Sequence, residues 1–177
     1  MTPVIRFAVG QSSLGPFVAA LSERGLSLVE FGDVDLKARL PDADLVEDTT
    51  ALGETVEKLA RLIDHPETDA EFALDLQGSP FELKVWQALR EIPAGTTATY
   101  GEIAHRIGSP REAREVGEAC ANNRLAVVVP CHRVTKKDGS IAGYRWGFLR
   151  KRTLLQREQQ ARLLRPFEGV PHGMEST

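Results

Sequence analysis

Apolar and polar residues alternate loosely in Val4-Ile5-Arg6-Phe7-Ala8-Val9 and stop at Gly10, the spacing of a strand. Phe17-Val18-Ala19-Ala20-Leu21 and Leu26-Ser27-Leu28-Val29-Glu30-Phe31 flank the turn cluster Ser22-Glu23-Arg24-Gly25, which predicts a hairpin. The chain is therefore expected to open with a three-stranded antiparallel sheet. Val34 to Leu40 reads as a short helix stopped by Pro41, and the acidic stretch Asp42 to Thr50 reads as loop. From Ala51 to Ile63, the residues Leu52, Val56, Leu59, Ala60 and Ile63 recur at helical spacing. After a connector at His65 to Asp69, Phe72 to Leu76 reads as one more strand, and Gly78 marks a change of character.

Ser79-Pro80-Phe81-Glu82 is a strong helix start. A serine cap, a proline at the first helical position and a glutamate three residues after the cap together satisfy free N-H groups. Phe81, Val85, Trp86 and Leu89 then share one face, and the helix should end near Ile92-Pro93-Ala94-Gly95. Tyr100 to Ile107, the turn Gly108-Ser109-Pro110 and Arg111 to Ala121 read as a helix-turn-helix, which serves either as two core helices or as a DNA-facing unit. Arg111 and Arg114 in the first turn of its second helix oppose the helix dipole, a placement that favours an anionic partner. Leu125-Ala126-Val127-Val128-Val129 predicts a fully buried strand ended by Pro130, which has no N-H to donate. Lys136 to Ser140 is a hairpin-like turn, and Ile141 to Gly147 is a loop rich in glycine and aromatics, a composition common in pocket walls. Phe148 to Leu164 predicts a last amphipathic helix, with Leu149, Leu154, Leu155 and Leu163 inward and a basic face carrying Arg150, Lys151, Arg152 and Arg157 suited to phosphate or to plain solubility. From Pro166 the chain reads as a disordered tail.

Composition narrows the possibilities. The 177 residues are 42% hydrophobic and 27% charged, enough for a real core, and no run approaches the roughly 18 apolar residues of a membrane span. A cytoplasmic protein is expected. Two cysteines and four scattered histidines show no ligand spacing, so neither zinc nor a disulfide is expected. The net charge of -3 hides an asymmetry: residues 1–99 hold 8 Lys/Arg against 17 Asp/Glu, and residues 100–165 hold 14 against 6. The second half is the one suited to a polyanion.

Pro130-Cys131-His132-Arg133 carries the candidate chemistry. A free thiol titrates at about 8.5, so a neighbouring base or positive charge is what makes it a nucleophile at neutral pH. Cys131 beside His132 fits that pattern, and it equally fits a buried cysteine used as a small hydrophobe. Cys120 reads as core.

The stretch Asn122 to Val134 with its Pro130-Cys131-His132-Arg133 tetrad, the Gly143-Tyr144-Arg145-Trp146-Gly147 loop and Glu158 resemble the O6-alkylguanine-DNA alkyltransferases, or methylated-DNA-protein-cysteine methyltransferases. Phe81 to Arg90, Tyr100-Gly101-Glu102-Ile103-Ala104 and Arg114-Glu115-Val116-Gly117 fit the same family. In the loop and in Arg150 to Leu155 the chain is most similar to the C-terminal half of the bacterial adaptive-response protein. The likeness is strong over residues 72–163 and weak over 4–70. It implies an α+β fold: a small N-terminal three-stranded antiparallel sheet domain with a helix, ribonuclease-H-like, over residues 1–76. A mostly helical domain with a winged-helix-like helix-turn-helix follows over 77–165, and then a tail over 166–177.

The resemblance also implies roles. Cys131 would accept the alkyl group from guanine O6 in a single displacement, His132 would act as base through a water, and Glu158, 26 residues on, would orient the imidazole. Tyr100 would donate toward the leaving guanine. Arg114 would fill the gap left by the flipped nucleotide, Asn123 would tie the recognition helix to the active-site strand, and Ala113 and Gly117 would allow close approach to the minor groove. Val134, Tyr144 and Arg145 would line the base pocket. The implied partner is double-stranded DNA containing alkylated guanine, with O4-alkylthymine left open, and a monomer is implied with no cofactor, metal, membrane or obligate protein partner. Glu112 departs from this picture by putting negative charge near the DNA. A damage-binding protein without transfer, or a helix-turn-helix transcription factor, would use much of the same scaffold.

Overall fold

The computed structural model describes residues 2–141 and 143–164; the tail expected at 166–177 lies outside them. Strands β1 (Val4–Ser12), β2 (Gly15–Ser22) and β3 (Gly25–Phe31) form the predicted antiparallel meander. Gly25 is required twice over. Its φ is 142°, and an added Cβ would lie 2.3 Å from the Ala73 carbonyl oxygen. Helix α1 (Leu36–Arg39) then covers the outer face of the sheet over Ile5, Val18, Ala20 and Leu28.

The sheet has four strands rather than three. Residues in the stretch expected as loop form β4 (Asp44–Glu47), parallel to β1, in the order β3-β2-β1-β4. Its side chains are mostly exposed, so no apolar alternation announces it, and its acids keep an open edge soluble. Helix α2 (Gly53–Asp64) follows with Leu59, Leu62 and Ile63 inward. Phe72 to Leu76, expected as a strand, forms only an isolated bridge between Leu74 and Leu26: the Leu26 N-H donates to the Ala73 carbonyl at 2.9 Å and the Asp75 N-H to the Leu26 carbonyl at 2.8 Å, and the Ser22 hydroxyl donates to the Asp75 carboxylate at 2.5 Å.

Helix α3 (Pro80–Arg90) starts on the predicted capping box, with Ser79 and Glu82 bonded reciprocally at 3.0 and 3.1 Å. Strand β5 (Ala98–Thr99) leads into α4 (Tyr100–Arg106), where Thr99 and Glu102 form a second such box. Helix α5 (Ala113–Ala121) begins two residues later than expected, because Glu112 is still bonded back to Ser109 in the turn. The Trp86 indole N-H donates to the Ala119 carbonyl at 2.9 Å and locks α3 to α5.

The valine-rich run 125–129 is a buried turn, not a strand. Leu125 makes one bridge to Val29, Val129 N-H closes onto the Leu125 carbonyl at 3.0 Å, and Val127 sits at φ 68°. A β-branched residue there costs about 1–3 kcal/mol, which the surrounding packing must offset. Burial on every side selects apolar residues whatever the backbone does, so the sequence could not tell the two apart. A 3-10 turn (Cys131–Arg133) and β6 (Val134–Thr135), parallel to β5, lead on to α6 (Phe148–Leu164).

One apolar core joins the inner face of the sheet (Phe17, Leu26, Val29) and α2 (Leu59, Ile63) to the later helices (Val85, Leu89, Ile103, Val116, Leu154). The segments before and after residue 76 share it. No helix among the described residues is long and apolar enough to cross a membrane, and no metal-ligating cluster occurs among them.

Candidate active site

Pro130 turns the chain so that Cys131 opens a 3-10 turn, its N-H held by the Val129 carbonyl at 2.8 Å and its side chain 5% exposed. Asn123 organises this segment. Its amide NH2 donates to the Val129 carbonyl at 2.9 Å and lies 3.3 Å from Cys131 Sγ, while its oxygen accepts the Leu125 N-H at 2.9 Å. Because Asn123 follows Asn122, the C-cap of α5, and its N-H donates to the Cys120 carbonyl at 3.2 Å, one buried residue connects that helix to the thiol. Burial pushes the Cys131 thiol up, against the Asn123 hydrogen bond and the positive charge of Lys151.

His132 and Glu158 meet across the fold, Nε2 to Oε2 at 2.9 Å, with both side chains fully enclosed. Arg133 grips the same carboxylate through Nε at 3.1 Å and Nη2 at 2.8 Å, and its Nη1 donates to the Ile92 carbonyl at 2.6 Å. Burial works to raise Glu158, but the bonds from His132 and Arg133 outweigh it and hold the carboxyl below its ordinary range. Burial lowers His132 more than Glu158 raises it, so the imidazole rests neutral. An ionised carboxylate only accepts, so Nε2 carries the hydrogen and Nδ1 carries a lone pair. That Nδ1 is buried and has no hydrogen-bond partner among the described residues. The arrangement is a neutral base with its far side fixed.

Lys151 is a functional candidate that the sequence reading placed on the wrong face of α6. It is 1% exposed, and its Nζ donates to the Val134 carbonyl at 2.7 Å. Burial lowers its pKa, opposed by the nearby thiols Cys131 and Cys120. The expected basic outer face is largely inward. Arg150 donates to Leu14 and Trp146 carbonyls at 2.9 and 3.0 Å and lies over Phe31, while Arg157 donates to the Ile63 carbonyl and Ser13 hydroxyl at 2.9 and 2.8 Å. Conversely Leu149 and Leu163, expected inward, are 67% and 73% exposed. The spacing of Lys151, Leu154 and Glu158 was the available signal, since those three are the buried side chains of the helix.

Tyr100 starts α4 and packs against α5, its ring 3.7 Å from where a Cβ on Gly117 would stand. Burial first, and then the neighbouring thiols Cys120 and Cys131, push its hydroxyl up to about 12, so it stays protonated. It borders a hollow of about 680 Å³ together with Ala113, His105, Arg106, Lys136 and Lys137. A larger hollow of about 840 Å³, between β1, α1 and Arg124, reaches the site only at Asn123. Arg114 points outward from α5, its side chain 88% exposed and 3.8 Å from Glu118. Behind the thiol, Val134 is fully buried, Tyr144 and Trp146 meet edge to face at 5.2 Å, and Arg145 donates to the Ala121 carbonyl at 3.3 Å.

Residues 80–160 match the family described as 6-O-methylguanine DNA methyltransferase, DNA binding domain. A methylated-DNA-protein-cysteine methyltransferase of Methanosarcina acetivorans is 38% identical over 152 residues, covering 86% of this chain and 97% of that protein. The chain belongs to the methylated-DNA-protein-cysteine methyltransferase family. Within that family, the bifunctional transcriptional activator/DNA repair enzyme Ada of Escherichia coli is 39% identical over 162 residues, 88% of this chain, and the chain spans only 46% of its length. Mycobacterium tuberculosis OGT, in a crystal structure with DNA, superposes with a TM-score of 0.78 at 35% identity, covering 88% of this chain and 93% of that one. The mixed α+β plan, an N-terminal sheet followed by a helical part, is common to both. Every candidate site residue named above, from Tyr100 to Glu158, falls inside the matched 80–160.

Proposed function

We propose that this protein repairs DNA by direct reversal, moving a methyl or other small alkyl group from O6 of guanine onto Cys131 once and irreversibly. The observation that carries the reading is the pairing of an enclosed thiol with a neutral, carboxylate-fixed imidazole in a member of this family. His132 Nδ1 takes the thiol proton through a water, while the Asn123 amide and the Lys151 charge support the thiolate that forms. Sγ then attacks the alkyl carbon: the S–C bond forms, the C–O6 bond breaks, and the electron pair passes to guanine. The protonated Tyr100 hydroxyl donates toward that developing charge. A thioether has no path back, so each molecule reacts once and no cofactor is needed.

An O6 alkyl group points into the duplex, so the base leaves the stack at a cost of a few kcal/mol. The exposed Arg114 in the first turn of α5 suits the gap that remains, and the half-buried Ala113 and Gly117 suit close approach in the minor groove. Val134, Tyr144 and Arg145 wall the flipped base. Strand order β3-β2-β1-β4 with β4 parallel to β1 supports a ribonuclease-H-like N-terminal part, residues 1–76. Helices α4 and α5 followed by β6 and its Lys136 to Ser140 turn support a winged-helix-like transfer part, residues 77–165. We assign the chain to the cytoplasm as a monomer, with duplex DNA as its partner. Incubation with an oligonucleotide containing O6-methylguanine should add one methyl to the Cys131 peptide in a mass spectrum. An unmodified peptide after full incubation refutes the reading, and O4-alkylthymine is the second substrate to assay.

A further inference from the structure

We infer that Glu30, on the edge strand of the N-terminal sheet, is a positioning residue for alkyl transfer: its carboxylate holds Arg145, and with it the pocket loop, against the end of α5. The inference rests on the transfer reading above.

Strand β3 is where the sheet meets the active-site segment. The Val29 N-H donates to the Arg124 carbonyl at 2.8 Å, and the Ala126 N-H returns to the Val29 carbonyl at 2.9 Å. The next residue, Glu30, is 5% exposed, a carboxylate among apolar neighbours. A buried carboxylate persists only when paired and hydrogen-bonded. Arg39 of α1 supplies that pairing, through Nε at 3.0 Å and Nη2 at 2.6 Å onto one oxygen. Folding alone needs nothing more there.

Yet Arg145 also approaches the same oxygen, its Nη2 at 3.8 Å. Its Nη1 donates to the Ala121 carbonyl at the end of α5, and its guanidinium carbon lies 5.8 Å from the centre of the Trp146 ring. One carboxylate thus joins the sheet, the end of the recognition helix and the loop that carries Tyr144 and Trp146. Two guanidinium groups on a single oxygen repel each other. The negative charge of Glu30, more than its shape, is what keeps Arg145 in place. In this way the N-terminal part reaches the substrate pocket from both sides, by the Val29 backbone toward Cys131 and by the Glu30 side chain toward the loop.

Glu30→Gln keeps the shape and an acceptor for Arg39 while removing the charge. Alkylation of Cys131 by an O6-methylguanine duplex should be followed under single-turnover conditions, with and without Arg145→Ala. The transfer step of Glu30→Gln at saturating DNA should slow roughly fivefold, the scale of coupling between contacting residues, while DNA affinity changes less than about twofold. In the Arg145→Ala background the substitution should then change nothing, and Glu30→Asp, which retains the charge, should restore part of the rate. If Glu30→Gln does not fold, the cycle is run with Glu30→Asp, whose slowing must also vanish without Arg145. Equal slowing in both backgrounds, or no slowing in either, overturns the inference and leaves Glu30 as an anchor for α1. A wild-type protein that leaves Cys131 unalkylated overturns the transfer reading itself, so the two failures are distinct.

Discussion

Glu158→Gln is the most informative single change, because the carboxylate accepts from two donors, the neutral His132 imidazole and the Arg133 guanidinium, and an amide presents an acceptor on only one side. Arg133 reaches Glu158 through three nitrogen-oxygen contacts at 2.8 to 3.1 Å and can only donate, so an amide oxygen at position 158 will turn toward it. The amide NH2 then faces His132 Nε2, now 2.9 Å from a carboxylate oxygen. A donor there drives the imidazole hydrogen from Nε2 to Nδ1, where it occupies the lone pair needed to take the thiol proton. Loss of a positioned base lowers rates by about 10²–10⁴-fold. Leaving Arg133, with a side chain only 12% exposed, without a counter-charge costs about 3–5 kcal/mol. For a chain of this size that lowers Tm by roughly 6–20 °C. The assay is a single-turnover measurement of Cys131 alkylation by an O6-methylguanine duplex, at a temperature where circular dichroism shows both proteins folded, with DNA affinity measured in parallel. Transfer should fall at least about a hundredfold while affinity holds within a few fold. Equal losses in rate and affinity, or an unchanged rate, would refute the assigned tautomer and the role of Glu158.

Lys151→Met removes the buried cation near the thiol at similar length; iodoacetamide titration should report a higher Cys131 pKa and transfer should slow, with stability within about 1 kcal/mol of wild type because a buried ammonium is itself costly. A lower thiol pKa would contradict the electrostatic role. Arg114→Ala, at an exposed side chain, should leave stability within about 0.5 kcal/mol and slow repair in duplex DNA more than attack on the free alkylated base; equal slowing on both substrates would exclude an intercalating role. For pH, His132 is depressed in the folded state, so the unfolded chain binds more protons below its ordinary value of 6.5. Its contribution to stability is full above that pH and declines as pH falls through it toward the folded value. Glu158, also depressed, adds a second loss with the same sign below its ordinary 4.5. Denaturant midpoints between pH 8 and 4 should show this decline, and a flat profile would contradict both shifts.

Much of the molecule was legible because the deciding forces are local. Ser79-Pro80-Glu82 caps α3 with its own neighbours, Gly25 turns the β2–β3 hairpin, and Ile103 and Ala104 mark the inward side of α4. The thiol-imidazole dipeptide at 131 and 132 and the helix-turn-helix ahead of it could be read from adjacent residue types, and Glu158 from its place in a family pattern.

What could not be read is set by partners far away in sequence. β4 exists because its backbone pairs with β1, while its exposed acids satisfy no apolar pattern. The 125–129 run is a turn because Asn123 and the β3 edge collect its hydrogen bonds, and burial alone cannot distinguish that from a strand. Lys151 lies inside because α6 turns that side toward Val134 and the thiol, and composition reads any lysine as surface. Glu30 looks like an interruption of an apolar strand until Arg39 and Arg145 converge on it. The sequence alone determined the candidate reactive group and the short-range elements, since these depend on neighbours a few residues apart. The tertiary structure decided which charges are buried and what they face, because the sign and strength of an electrostatic contact depend on distance and desolvation, and neither is written along the chain.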